Sequence, residues 1–288
     1  MTLGAVKIEP GVKKAQIGGK LEQSQNDQGK MNPSSPRGQT VIEGQGVSKL
    51  FGETVVALDG ATFNVRKQQF ISLVGPSGCG KSTLLRMISG LIPVSSGTLE
   101  LHGELVQRPR PDVGMMFQKP TLLAWRTILE NVLLPTELSR KVTAEDRDHA
   151  LELLELVGLA DFAFSFPSQL SGGMQQRAAL ARLLQTGADV LLLDEPFGAL
   201  DEFTRERLNV ELLRIVEKFE RTTLFVTHNI QEAIFLADQV FVMTPRPGRI
   251  AAVIDVPFER PRDPELMQSV PFNDLVGQVR KIFGNAAH

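Results

Sequence analysis

The sequence contains no tyrosine, a single tryptophan, Trp125, and a single cysteine, Cys79. One cysteine excludes a disulfide within the chain and fits a reducing compartment. No unbroken apolar run is long enough to span a bilayer. The first residues, MTLGAVKIEPGVKK, lack the charged, apolar and small-residue succession of a signal peptide. Neither a membrane span nor a leader is therefore expected. An excess of charge is missing too: 31 Lys and Arg against 33 Asp and Glu give a formal net charge of −2. Without a basic surplus there is no electrostatic footprint for a nucleic acid, and no such partner is expected. What remains is an ordinary globular composition. A chain of 288 residues can bury one good core, or one core with an attached subdomain.

Residues 1–40 are rich in Gly, Gln, Ser, Asn and Lys and poor in large apolar groups. Such a segment cannot bury enough surface to offset its ordering entropy and reads as a disordered tail. Structure is expected to begin near TVIEGQGVSKLF. From there ATFNV, FISLVG, SSGTLELHG and DVGMMFQ read as strands, with a short helix over 80–90 between the second and third. After Gln118 the block to about 185 reads as all helical. Thr143 caps one helix with Asp146 three residues on, and Gly158 stops it. The alternation then resumes with DVLLLDEP, TTLFVTH and QVFVM as strands and helices between them. Continuous apolar strands separated by helices indicate a parallel sheet covered on both faces. Near the end Leu275, Val276, Val279, Ile282 and Phe283 recur at helical spacing, so 251–288 is expected to be an extension carrying a short helix.

The densest local signal is VGPSGCGKST. Gly75, Pro76, Ser77, Gly78, Cys79, Gly80, Lys81 and Ser82 fit G-x-x-x-x-G-K-[ST], and Thr83 follows. The stretch lies between a predicted strand and a predicted helix, as a phosphate loop requires. Small residues let the backbone wrap a polyphosphate, with N–H groups and the helix N-terminus pointing at it. Lys81 is a compact charge able to reach the β and γ phosphates, and Ser82 can ligate Mg²⁺. Taken alone, the stretch also fits a glycine turn. Asp194 and Glu195 close the apolar strand VLLLD, at the strand end that faces the ligand crevice of an open parallel sheet. Asp194 is the expected metal partner and Glu195 the group that polarises an attacking water. Taken alone, that pair fits equally an acidic strand end leading into Pro196.

The stretch LSGGMQQR, residues 170–177, closely resembles the signature sequence of ATP-binding cassette (ABC) ATPases. The resemblance covers roughly residues 41–250. It implies a P-loop NTPase core with a parallel sheet, antiparallel strands near the N-terminus and an inserted all-helical subdomain at about 119–185. It implies ATP and Mg²⁺ as ligands. Phe51 stands where the family stacks an aromatic ring on adenine. Gln118 stands where a glutamine senses metal and γ phosphate, and His228 where it has the switch histidine. Ala199, Leu200 and Asp201 match the dimer-contacting loop. Ser171, Gly172 and Gly173 open a helix and offer a hydroxyl and unhindered N–H groups, which in this family close on the γ phosphate held by the other subunit. Two cassettes are thus expected to sandwich ATP, and hydrolysis to release them.

One cassette without a membrane span argues for a separate transporter subunit. QKPTLLAWRTILENVLLP, DEPFGALDEFTRE and VTHNIQEAIFLADQVFVMTPRPGRI resemble the nitrate, sulfonate and taurine importer group, with Ala124 in place of a common proline and Asn229 in place of a common aspartate. The resemblance implies permease subunits, a second copy of itself or a similar ATPase, an indirect solute-binding protein, and a peripheral place on the cytoplasmic face of the inner membrane. An importer of a heterocyclic solute and a soluble regulatory or assembly ATPase stay open as alternatives. Trp125, beside Arg126, reads either as a core aromatic of the helical block or as an anchor for the permease. Cys79 reads as a small loop residue whose place near a helix N-terminus favours a reactive thiol.

Overall fold

The computed structural model describes residues 38–198 and 200–286. The expected tail lies almost wholly outside the described residues, and so does Ala199.

The chain builds two sheets. β1 (Thr40–Phe51) and β2 (Val55–Arg66) form a hairpin, and β4 (Ser96–Leu101) and β5 (Glu104–Leu105) extend it into a four-stranded antiparallel sheet in the order β2-β1-β4-β5. The second sheet has six strands. They are β3 (Phe70–Val74), β6 (Val113–Met116), β7 (Val190–Asp194), β8 (Thr222–Thr227), β9 (Gln239–Met243) and β10 (Ile250–Asp255), in the order β10-β9-β3-β8-β7-β6. All its pairings are parallel except β10 against β9.

β3, β7 and β8 are buried at every residue, which is why they read as unbroken apolar runs. Their pleat sorts alternate side chains into two cores. Ile71, Leu73, Val190, Leu192, Leu224 and Val226 pack with the antiparallel sheet and with α1 (Lys81–Ile88). Phe70, Val74, Leu191, Leu193 and Phe225 pack in the core on the other face. That second core takes in α2 (Ile128–Ser139), α3 (Ala144–Leu156), α4 (Gly172–Gln185), α5 (Glu202–Lys218), α6 (Ile230–Leu236) and α7 (Val270–Ala286). α2, α3 and α4 fall in the stretch read as all helical. Thr127 and Thr143 each close a reciprocal capping box, with Glu130 and Asp146.

Two features of the C-terminal part were not anticipated. Residues 250–255 pair with β9, so the sheet continues past the point where the sequence reading placed its end. The closing helix is a full 17 residues long, with Phe272, Leu275, Val276 and Val279 buried. Neither was legible because the strand IAAVID has a weak alternation and Pro271 and Gly277 interrupt the helical pattern.

The junction between them is held by Arg262, 6% exposed. Its guanidinium donates to the carbonyls of Ile234, Phe235 and Ala237 at the end of α6 and to that of Phe258. It thereby satisfies the orphan acceptors of a helix C-terminus. Burial lowers its pKa to about 10, so at neutral pH it still carries its charge. Arg262→Ala should strand several buried carbonyls and lower the unfolding free energy by about 3 kcal/mol, measured by urea denaturation.

Candidate active site

The register of the parallel strands aligns their C-terminal ends. Val74 lies opposite Thr227, Asp194 opposite Val226, and Met116 opposite Leu193. The residues that follow therefore share one edge of the sheet: the loop from Gly75, the Asp194–Glu195 pair, His228, and Gln118 two residues past β6. Of these, Gln118, Glu195 and His228 line a cavity of about 320 Å³ with Phe51, Val55 and Ala57 of the hairpin. Of the expected loop residues, Ser77, Gly78, Cys79, Gly80, Lys81, Ser82 and Thr83 line it directly.

The loop is built for close approach. Gly80 has φ of 95° and precedes α1 without offering a side chain to cap it. The first-turn N–H groups of α1 are thus left to bind a ligand. A Cβ at Gly80 would lie 2.6 Å from the Ala57 carbonyl. Lys81 is 4% exposed and donates to the carbonyls of Gly75 (2.7 Å) and Pro76 (3.0 Å), which hold its ammonium inside the loop. Ser82 Oγ donates to Asp194 Oδ1 at 2.7 Å, and Asp194 is 4% exposed. Two hard oxygen donors at this separation suit a small divalent cation such as Mg²⁺.

Glu195 carries the next layer. Its φ of 48° lies in the left-handed region, unusual for a residue with a Cβ. Its N–H donates to the Val226 carbonyl, which fixes that turn. Its carboxylate is gripped on both oxygens: His228 Nε2 lies 2.5 Å from Oε1, and Gln118 Nε2 donates to Oε2 at 2.9 Å. Two side chains from separate strand ends thus converge on the carboxylate of a third. His228 follows β8 with about half its side chain exposed, so it is not a core histidine. Phe51 is 42% exposed at the cavity wall, which rules out the core reading for it as well.

Gln118 is also tied to the helical block. Gln176 of α4 donates to the Gln118 carbonyl at 2.7 Å, and Arg182, one and a half turns on, donates to the carbonyls of Pro120 and Thr121. The signature residues themselves stand apart. Ser171 caps α4 by accepting from the Met174 N–H, and Ser171, Gly172 and Gly173 are not among the residues lining the cavity. Asp201 caps α5 by accepting the Thr204 N–H, which draws its carboxyl below the usual range, and it too stands outside the cavity.

One expectation changes and one open alternative is decided. Cys79 is 1% exposed and belongs to the core beneath the loop, so the thiol expected to be reactive is shut off from reagents. Trp125 is 75% exposed, so it is no core aromatic. Three lining residues were missed: Val55 and Ala57 of the hairpin, and Arg246. Arg246, in the turn between β9 and β10, donates to the Gly78 carbonyl at 3.3 Å and faces the cavity. The turn TPRPGR carries no phosphate-binding pattern, and only its proline and glycine content marked it as a turn.

A phosphate loop at the C-terminal edge of a parallel sheet, opposite an Asp–Glu strand end, defines a P-loop ATPase. Residues 58–198 match the family profile described as ABC transporter. The chain is 48% identical over 210 residues to the taurine import ATP-binding protein TauB of Rhizobium johnstonii, an alignment covering 73% of this chain and 80% of that protein. It is 45% identical over 219 residues to the nitrate import ATP-binding protein NrtD of Synechococcus elongatus, covering 75% and 80%. It is 42% identical over 230 residues to the aliphatic sulfonates import ATP-binding protein SsuB of Bacillus cereus, covering 78% and 90%. In fold it resembles the dimeric post-hydrolysis structure of the ATP-binding cassette MJ0796 bound to ADP and Pi, with a TM-score of 0.68, 31% identity, and coverage of 76% of this chain and all of that one. The chain therefore belongs to the ABC transporter family, as an ATP-binding, ATP-hydrolysing domain.

The loop also packs against the turn that carries Gly248. A Cβ at Gly248 would lie 1.8 Å from the Cys79 carbonyl and 3.1 Å from that of Ala57. Gly248→Ala should displace the loop and weaken ATP binding at least about tenfold, with helix and strand content unchanged. Equilibrium titration with ATP and circular dichroism would check both parts.

Proposed function

We propose that this chain is the energy-supplying subunit of an importer, hydrolysing ATP between two cassettes to drive a small oxyanion or sulfonate-like solute through separate permease subunits. The observation that carries the ATPase half is the convergence of Gln118 and His228 on Glu195 beside the Ser82–Asp194 pair. The transport half rests on relatives named for taurine, nitrate, bicarbonate and aliphatic sulfonates. These solutes share a compact anionic oxygen head. In this reading the protein sits peripherally on the cytoplasmic face of the membrane, and a solute-binding protein acts at one remove. No helix among the described residues is long and apolar enough to cross the bilayer.

Each residue then has a task. The amides of residues 75–83 and the N-terminus of α1 hold the polyphosphate, and the Lys81 ammonium offsets its charge. Arg246 adds a second cation at the cavity wall. Phe51 presents its ring to the base, a contact of about 1 kcal/mol for an aromatic pair. Ser82, Asp194 and Gln118 would hold Mg²⁺, which when bound neutralises charge on the phosphates. Glu195 takes the proton of the attacking water while His228 and Gln118 keep its carboxylate aimed. Ser171, Gly172 and Gly173, held away from their own loop, close on the nucleotide of the second copy, with Asp201 at the seam. Residues 41–250 thus act as one cassette, to which β10 and α7 add a supporting edge.

The helical block supplies the permease surface. The N–H groups of Ile128 and Leu129 donate to the carbonyls of Ser165 and Ala163, which brings the segment 163–166 beside the start of α2. Trp125, Phe164 and Phe166 are exposed on these adjoining segments. Arg126 is engaged by Glu137, which leaves the indole as the projecting group.

Glu195→Gln should bind ATP with near-normal affinity yet lose about 10²–10⁴-fold in turnover, and ATP-held dimers should accumulate on gel filtration. Hydrolysis at the wild-type rate would sink the base assignment. Trp125→Ala should retain ATP affinity but recover at least about tenfold less permease on affinity capture from detergent-solubilised membranes. Full recovery of a polytopic partner by this variant would move the contact elsewhere.

A further inference from the structure

A second cavity of about 430 Å³ lies on the other side of the Glu195–His228 pair, lined by both of them and by Arg205, Thr227 and Glu232 among others. Glu232 is the residue there without a task. It sits at the start of α6, is 6% exposed, and is followed by Ala233, Ile234, Phe235 and Leu236, all buried. An apolar side chain would fill such a place without the cost of taking a carboxyl out of water. A carboxyl here must do something that an apolar group cannot.

Its contacts show what that is. Thr227 Oγ donates to Glu232 Oε2. The same hydroxyl accepts the Asn229 N–H at 3.0 Å, and Asn229 Oδ1 in turn accepts the Glu232 N–H at 3.2 Å. These three bonds close a ring around the turn 227–229, and His228 is the residue at its middle. Burial holds the Glu232 carboxyl above the usual carboxylate range, with the Thr227 hydroxyl pulling the other way.

We propose that Glu232 is a positioning residue that aims His228 at Glu195 through the Thr227 hydroxyl. The assignment rests on the reading of Glu195 and His228 as the catalytic pair. A neutral amide can accept the same hydroxyl proton, so the role needs the acceptor oxygen and not the negative charge.

The test is steady-state hydrolysis and equilibrium ATP binding by Glu232→Ala, Glu232→Gln, Thr227→Val, His228→Ala and the double variant Glu232→Ala/His228→Ala. Glu232→Ala and Thr227→Val should each lose between about tenfold and a hundredfold in kcat, with ATP affinity within about twofold of wild type. Thr227→Val conserves volume, so its loss cannot come from a cavity. Glu232→Gln should restore most of the rate. In the His228→Ala background, Glu232→Ala should cost less than about twofold further, because both act through one group. Full multiplicative loss in the double variant would overturn the proposal, as would Glu232→Gln as slow as Glu232→Ala. Glu232→Ala at wild-type rate with His228→Ala inactive would sink it alone. His228→Ala at wild-type rate would sink the reading of the catalytic pair along with it.

Discussion

Everything at the site depends on the register of the parallel strands. Val74 faces Thr227 and Asp194 faces Val226, so the chain leaves β3, β7 and β8 at one level and turns into the crevice together. Side-chain period in a strand is two residues, and a slip of one would exchange the two cores and turn Asp194 away from Ser82. The register is secured because β3, β7 and β8 are buried on both faces. An error would bury no less apolar surface, but it would mismatch the volumes of Phe70, Phe225 and Phe197, whose rings pack at tilted angles in one cluster. Close packing of large rings leaves little tolerance for a shift.

On that frame the site is assembled from two kinds of support. The phosphate loop is held mainly from within, by glycine conformations and by the Lys81 ammonium on its own carbonyls, and is backed from outside by the turn at Gly248. Glu195 is held globally, by a histidine from one strand end and a glutamine from another. The first kind of support suits a cradle that must accept a nucleotide without rearranging. The second suits a group that must respond, since Gln118 is bonded through Gln176 to the helix that begins with the signature residues. A rotation of α4 against the sheet would reach the Glu195 carboxylate through a single intervening side chain. His228 is fixed in turn by the ring that Thr227, Asn229 and Glu232 close. The helical block, through Gln118, and the start of α6, through the His228 turn, therefore both converge on one carboxylate.

The departures from the family's common pattern have local answers. Asn229, where aspartate is common, accepts the N–H groups of Gln231 and Glu232 and caps α6, a task that an amide oxygen performs as well as a carboxylate. Ala124 lies exposed in the segment before α2, whose shape is set instead by Asn131: its side chain bonds the backbone of Leu123 at both N–H and C=O, and the Arg126 carbonyl besides.

By itself the sequence determined the chemistry that is contiguous along the chain. A loop that wraps phosphate needs its glycines, lysine and hydroxyl within one short run, and buried strands need unbroken apolar residues, so the loop, the Asp194–Glu195 strand end, the parallel sheet and the helical block were all legible. Only the tertiary structure decided what meets across it. The grip of His228 and Gln118 on Glu195, the burial of Cys79 and the exposure of Trp125 follow from register and packing between segments far apart in the chain. Arg246 and Glu232 went unseen for the same reason. An arginine in a Pro-Gly turn and a glutamate in a helix carry no signal of their own, because their meaning comes from the loop and the histidine that the fold places beside them.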